Sequence, residues 1–270
     1  MKLTEFSAFA MLILQLHLHA DDSRVLFKQL LANPIEARIG TMYQATDNRL
    51  RLDIGHTFDL MSVASSSDFN AVLGGDFFTY TRLRSEGNLK FPVETVDYFF
   101  GVNSSLQWKS PQVLYDARIR LSHISAHLTD GVADANGTLQ PKPFVYSREF
   151  VDIIASVIFD NTYRVYAGGT FIFSNHRLAY PVSLIIPQAG GEIHYPITQS
   201  IKAQAGVDTK LVAVNGVARL ITASQAGVSF KQMNGYSVFV GVYQYSGYSV
   251  HGLFFDTVDN YWGFGFQVQL

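Results

Sequence analysis

The stretch "RLSHISAHLTDG", residues 120–131, sets His123, Ser125 and His127 at alternate positions. Successive side chains of an extended chain point to opposite faces, so these three share one side of a strand. An imidazole beside a hydroxyl is the pairing that nucleophilic hydrolysis uses. The ring takes the hydroxyl proton as the oxygen attacks a carbonyl, and later returns it to the leaving group. The next extended stretch, "FVYSREFVDIIASVIF", puts Ser147 and Glu149 on one face with Val151, Ile153, Ala155 and Val157. If the two stretches form a hairpin symmetric about residue 136, Ser125 stands opposite Ser147 and His123 opposite Glu149. Directly opposed residues hold their Cβ atoms about 4.5–5.5 Å apart, close enough for a carboxylate to orient an imidazole and stabilise its cation. Ser125 is then the candidate nucleophile, His123 the base and acid, and Glu149 the orienting group, with Ser147 and His127 as supporting polar contacts. The plainer reading is that polar side chains near strand ends hydrate the boundary between a bilayer and water. A β-bulge between 121 and 123 would turn the set to the other face.

What must position these residues is a succession of period-two segments running from about residue 36 to the C-terminus. In residues 49–60, Leu50, Leu52, Ile54, His56, Phe58 and Leu60 alternate with Arg49, Arg51, Asp53, Gly55, Thr57 and Asp59. The last segment, "YWGFGFQVQL", sets Trp262, Phe264, Phe266, Val268 and Leu270 on one side, an aromatic surface ill suited to an edge in water. It suits the closing strand of a membrane barrel, whose apolar face meets lipid and whose polar face fills the lumen. About twelve segments can be counted, an even number as such barrels require. Connections after even-numbered segments are short ("KSP", "DN", "MNG"), and several after odd-numbered ones are long ("SEGNLKFP", "TDGVADANGTLQPKP", "SGYSVHGLFFDTV"), which places the His/Ser/Glu set at the long-loop end. Arg51, Asp53, Asp76, Arg82, Asp116, Arg118, Arg120, Lys202, Asp208 and Lys210 fall on lumenal positions, where opposite charges pair and plug rather than line an open pore. Tyr115 and Tyr146 read as girdle residues. His56, His176, His194 and His251 have no metal-ligand spacing and read as structural or loop residues.

Composition sets the remaining bounds. With 20 Lys and Arg against 22 Asp and Glu, the formal charge of −2 offers nothing to attract nucleic acid. The absence of cysteine excludes disulfides, thiolate catalysis and cysteine-ligated zinc. Residues 1–20, with one early lysine, an apolar run from Phe6 to Leu16 and Ala20 before "DDS", read as a secretory signal cleaved after Ala20. Residues 21–35 read as a periplasmic segment, short helical or irregular, packing against the barrel mouth. Residues 36–270 read as the barrel.

The stretches "LFKQLLANP", "RLSHISAHLTD", "YSRE" and "RVYAGG" resemble those of a bacterial family known only as a domain of unknown function, over nearly the whole mature chain. That resemblance implies an envelope or outer-membrane location and supplies no activity. His123, Ser125, His127, Ser147 and Glu149 fit the family's pattern. After His127 the family reads Leu-Gly-Asp-Glu, whereas this chain has Leu128, Thr129, Asp130 and Gly131, so the loop carboxylate receives no role. Separately, "HIS" at 123–125 is similar to the His-x-Ser of outer-membrane phospholipase and lipid A deacylase. Those are barrels whose outward-facing His and Ser act on lipid esters at the outer leaflet, with a third member, Asn or Glu, from the neighbouring strand.

The expectation is therefore an all-β protein, a single antiparallel transmembrane β-barrel of about twelve strands in the bacterial outer membrane. Its working function is a serine-type esterase or deacylase for lipid A or phospholipid. A non-catalytic structural or glycolipid-binding barrel and a narrow solute channel stand as alternatives. The expected partners are lipopolysaccharide, phospholipid and the barrel-assembly machinery. No cofactor is evident, and a divalent cation such as calcium stays open as an aid to the oxyanion.

Overall fold

A computed structural model of the chain describes residues 25–134, 136–176, 180–231 and 236–269, so the signal segment read at 1–20 lies outside the described residues. Twelve strands form one closed antiparallel sheet: β1 (Ile39–Gln44), β2 (Arg49–Ser65), β3 (Phe69–Arg84), β4 (Val93–Lys109), β5 (Val113–Leu128), β6 (Tyr146–Phe159), β7 (Tyr163–Asn175), β8 (Ile185–Pro196), β9 (Ile201–Val214), β10 (Val217–Lys231), β11 (Ser237–Tyr248) and β12 (Val258–Gln269). Each strand pairs with its sequence neighbour, and β12 closes on β1 with Phe264 opposite Tyr43, their rings 5.4 Å apart. Closure gives every strand a partner on each side, although β2 beyond Asp53 pairs with β3 alone, and paired edges are what a sheet needs where no water can hydrogen-bond its backbone.

Alternation sorts the side chains. Ile54, Phe58, Leu60, Val102, Ile119, Ile153, Val165, Trp262, Phe264 and Phe266 look outward and are exposed. The charged residues expected in the lumen are buried, except Lys202, which is exposed beside the turn that opens β9. An apolar exterior around an ionic interior inverts the pattern of a soluble barrel and is the arrangement hydrocarbon selects.

The segment before β1 departs from the expectation. It is irregular and threads the lumen rather than resting at the mouth, with Phe27, Leu30, Leu31, Asn33, Glu36 and Ala37 buried. The lumenal cations draw it in. Arg118 Nη1 and Nη2 donate to the Glu36 carboxylate at 3.0 and 2.6 Å, Arg51 donates to the Pro34 carbonyl at 2.6 Å, and Lys210 donates to Asn33 Oδ1 at 2.6 Å. The Leu31 amide in turn donates to Glu192 at 2.5 Å. From the other end, the β11–β12 connection folds inward, where Asp97 accepts from the Gly252 amide at 2.7 Å and pairs with His251 at 2.8 Å.

The faces of β5 and β6 exchange polarity along their length without any irregularity in their mutual register. On β5 the inward set runs Asp116, Arg118, Arg120, Ser122, then Ile124 and Ala126, while the outward set runs Ala117, Ile119, Leu121, then His123, Ser125 and His127. The long-loop half of the hairpin is thus apolar inside and polar outside. Tyr146 follows the same geometry and corrects the girdle reading: Ser147 faces outward, so its neighbour Tyr146 points into the barrel and is buried against Phe255. Tyr115 does lie on the exposed outer surface.

Candidate functional site

The site is built on the β5–β6 pair. Its register places His123 opposite Glu149 and Ser125 opposite Ser147, with no bulge between 121 and 123. His123 Nδ1 lies 2.8 Å from Glu149 Oε1, and the two side chains are 27% and 33% exposed, reachable from the surroundings yet partly shielded. Ser147 Oγ donates to the same carboxylate oxygen at 3.3 Å. Glu149 is held from the other side as well, by a side-chain hydrogen bond with Ser174, which stands opposite it on β7. A carboxylate so gripped has little freedom, and the imidazole it holds is fixed with Nδ1 toward Glu149 and Nε2 away from it.

The surroundings are aromatic. Phe100, opposite His123 on β4, lies against the imidazole at 4.7 Å with the planes tilted by 33°. Tyr98, opposite Ser125, meets the His127 ring edge-on at 5.6 Å. Phe171 and Phe173 on β7 are exposed on the outer surface. The polar set is therefore flanked by aromatic side chains on the outer surface.

Ser125 shares the outward face with His123, but no hydrogen bond joins the two among the described residues. Two steps along a strand separate Cα atoms by about 6.7 Å, a span that an imidazole and a hydroxymethyl directed toward each other can bridge. The structure thus brings together the expected base and orienting group, sets the expected nucleophile beside them, and places His127 against Tyr98 rather than against the carboxylate. Ser174 and Phe100 are site neighbours that strand alternation alone does not reveal, because each depends on the register of a further strand pair. Among the described residues, no group of three or more His, Asp or Glu side chains is placed to hold a metal ion.

A family model described as "Protein of unknown function (DUF1207)" matches residues 4–269. The chain belongs to the DUF1207 family. A search of curated proteins returns no match for it. Among solved structures, this DUF1207 barrel is similar to outer membrane phospholipase A from Escherichia coli, with 12% identity, 90% of this chain and 95% of that chain covered, and a TM-score of 0.52. It also matches the β domain of the Bordetella autotransporter BrkA (11% identity, 87% and 99% covered, TM-score 0.40) and the translocator domain of the autotransporter NalP from Neisseria meningitidis (8% identity, 99% and 97% covered, TM-score 0.37). At such identities the likeness is one of fold: the DUF1207 chain has the fold of bacterial outer-membrane barrels.

Proposed function

We propose that this DUF1207 barrel resides in the outer membrane with its long loops outside and hydrolyses an acyl ester of phospholipid or lipid A at the outer leaflet. The observation that carries the reading is the His123–Glu149 pair, 2.8 Å long, on the outward face beside Ser125. A carboxylate and an imidazole facing hydrocarbon are costly, and such groups are kept chiefly where they act. The fold shared with an outer-membrane phospholipase supports the same substrate class.

In this reading Ser125 Oγ attacks the acyl carbonyl carbon while its proton passes to His123 Nε2. Glu149 stabilises the resulting imidazolium. The ester C–O bond then breaks, the alcohol leaves with the proton, and water hydrolyses the acyl-serine by the same relay. The Ser125–His123 hydrogen bond forms with substrate, as catalytic hydrogen bonds often tighten only in the complex. The oxyanion falls to a backbone N–H; a divalent cation such as calcium, if bound, would supply the same charge stabilisation.

The test is acyl release from phospholipid and lipid A vesicles by the purified chain and by Ser125→Ala, with and without added calcium. Release by the wild type that Ser125→Ala lacks supports the esterase. Equal background release from both leaves a non-catalytic, lipid-contacting barrel. The lumenal segment weighs against the solute channel, which would require single-channel conductance in planar bilayers.

A further inference from the structure

The apolar half of the lumen encloses a cavity of about 120 Å³. The lumenal segment residues Asn33, Pro34 and Ile35 line it from one side, and Ser249, Val250 and Phe255 of the β11–β12 connection line it from the other. Ile124, Ile172, Ile186, Val212, Val214 and Ile221 supply an aliphatic wall drawn from five strands. An apolar cavity of about 150 Å³ is large enough to take up benzene, so this one suits a body of about five carbons.

One part of the lining is cationic. Arg120, Arg148 and Lys210 reach the cavity, with Asp152 as the acidic member of the same lining. Asp152 is already engaged: Oδ1 accepts from Arg120 Nε and Nη2 at 3.2 and 3.1 Å, and Oδ2 accepts from Thr170 at 3.2 Å. Lys210 lies 3.8 Å from Asp208. Arg148 has no carboxylate within salt-bridge distance among the described residues, and its guanidinium lies over the Tyr146 ring at 4.7 Å. Two buried donors, Arg120 Nη1 and Arg148 Nε, have no hydrogen-bond acceptor among the described residues, and Arg120 is only 2% exposed. A buried guanidinium N–H without an acceptor is costly to leave unmatched. A mostly apolar cavity with a few convergent polar groups is the usual form of a small-molecule site.

We propose that this cavity is a binding site for a small amphipathic anion, an aliphatic carboxylate whose head accepts from Arg120 and Arg148 and whose chain lies against the isoleucine and valine wall. The site opens on the inside of the barrel, opposite to the outward face of His123 and Ser125, and does not depend on the lipid chemistry proposed for them.

The test is equilibrium dialysis of radiolabelled hexanoate against the purified full chain in detergent micelles, with empty micelles as blank. Saturable binding of one hexanoate per chain is expected, with hexylammonium and acetate each competing at least tenfold more weakly. Arg148→Gln is expected to weaken binding at least fivefold, and Val214→Phe, which fills the cavity, to abolish it. Binding no greater than in empty micelles, or equal competition by hexylammonium, overturns the proposal, and those two measurements need only the wild-type chain. Unchanged affinity in a folded Arg148→Gln variant overturns it too.

Discussion

Glu36 Oε1 stands 2.6 Å from Arg118 Nη2, with the two side chains 0% and 1% exposed, so an ion pair sealed from water ties the segment preceding the barrel to its fifth strand. Arg120 lies 3.8 Å from the same oxygen. Removing one charge from such a group leaves the others uncompensated, which costs about 3–5 kcal/mol. Glu36→Gln should therefore destabilise the barrel by that order and free the lumenal segment. A lower unfolding temperature in the gel-shift assay for folded barrels, together with protease cleavage within residues 25–38, would report it. An unchanged melting temperature and an intact segment would show that the segment is held by other contacts.

Acid should act through the same carboxyl, which lies outside the spanning strands. Burial opposes its charge, but Arg118, Arg120 and Arg38 outweigh burial and hold its pKa down at about 2 from the ordinary 4.5. A group whose folded-state pKa is depressed contributes its full stabilisation above the unfolded value, and that contribution fades as pH falls toward the folded one. The stability gap between wild type and Glu36→Gln should accordingly be widest at neutral pH, shrink below about 4.5 and close near 2. Urea unfolding of both chains across that range measures it, and a gap that widens on acidification would contradict the assignment.

Strand number, the closing strand and the outward placement of His123, Ser125 and Glu149 could be read from alternation, because a period of two fixes the face of every residue once the strands are delimited. Tyr146 was open to the same reasoning, since its neighbour Ser147 belongs to the outward set. Glu36 was not: it precedes the alternating region, and only the three-dimensional meeting with Arg118 gives it a partner. Nor was Ser174, because β6 and β7 shift register between Glu149 and Phe150. Ile124 and Phe150 escaped for a different reason. They sit on faces that also carry charged or polar members, such as Arg120 and Ser122 on β5 and Asp152 and Ser156 on β6, and the change from ionic to apolar packing occurs partway along the lumen.

Adjacent glycines in β8 should respond in opposite ways. A Cβ on Gly190 would come within 2.3 Å of the Tyr166 ring and hydroxyl and 2.4 Å of the Val207 carbonyl, whereas one on Gly191 would meet nothing nearer than 3.5 Å. Tyr166 fills this space because its hydroxyl donates to Asp208 at 2.9 Å. Gly190→Ala should break that bond and strain the lumen at a cost of about 1–3 kcal/mol, while Gly191→Ala should be near neutral. Denaturant midpoints of the two variants decide it, and equal midpoints would mean that Tyr166 can move aside freely.

The contacts that hold Glu149 should separate a working site from hydration of a membrane boundary. If the carboxylate orients His123, Glu149→Gln leaves the shape intact but removes the charge that stabilises the imidazolium, and acyl release should fall by at least about 10²-fold. Ser174→Ala removes only one of the contacts gripping that carboxylate, so the imidazole is held less firmly and the loss should be smaller, about tenfold. A merely hydrating role predicts something else: both substitutions would leave acyl release at background and would alter only how the barrel partitions between detergent and lipid. The pair is therefore best measured as kcat on short-chain lipid esters, with the folded gel shift recorded alongside. An ordered decline from wild type to Ser174→Ala to Glu149→Gln at constant folding assigns the relay to these residues, and equal rates in all three chains would leave His123 and Glu149 as a structural ion pair.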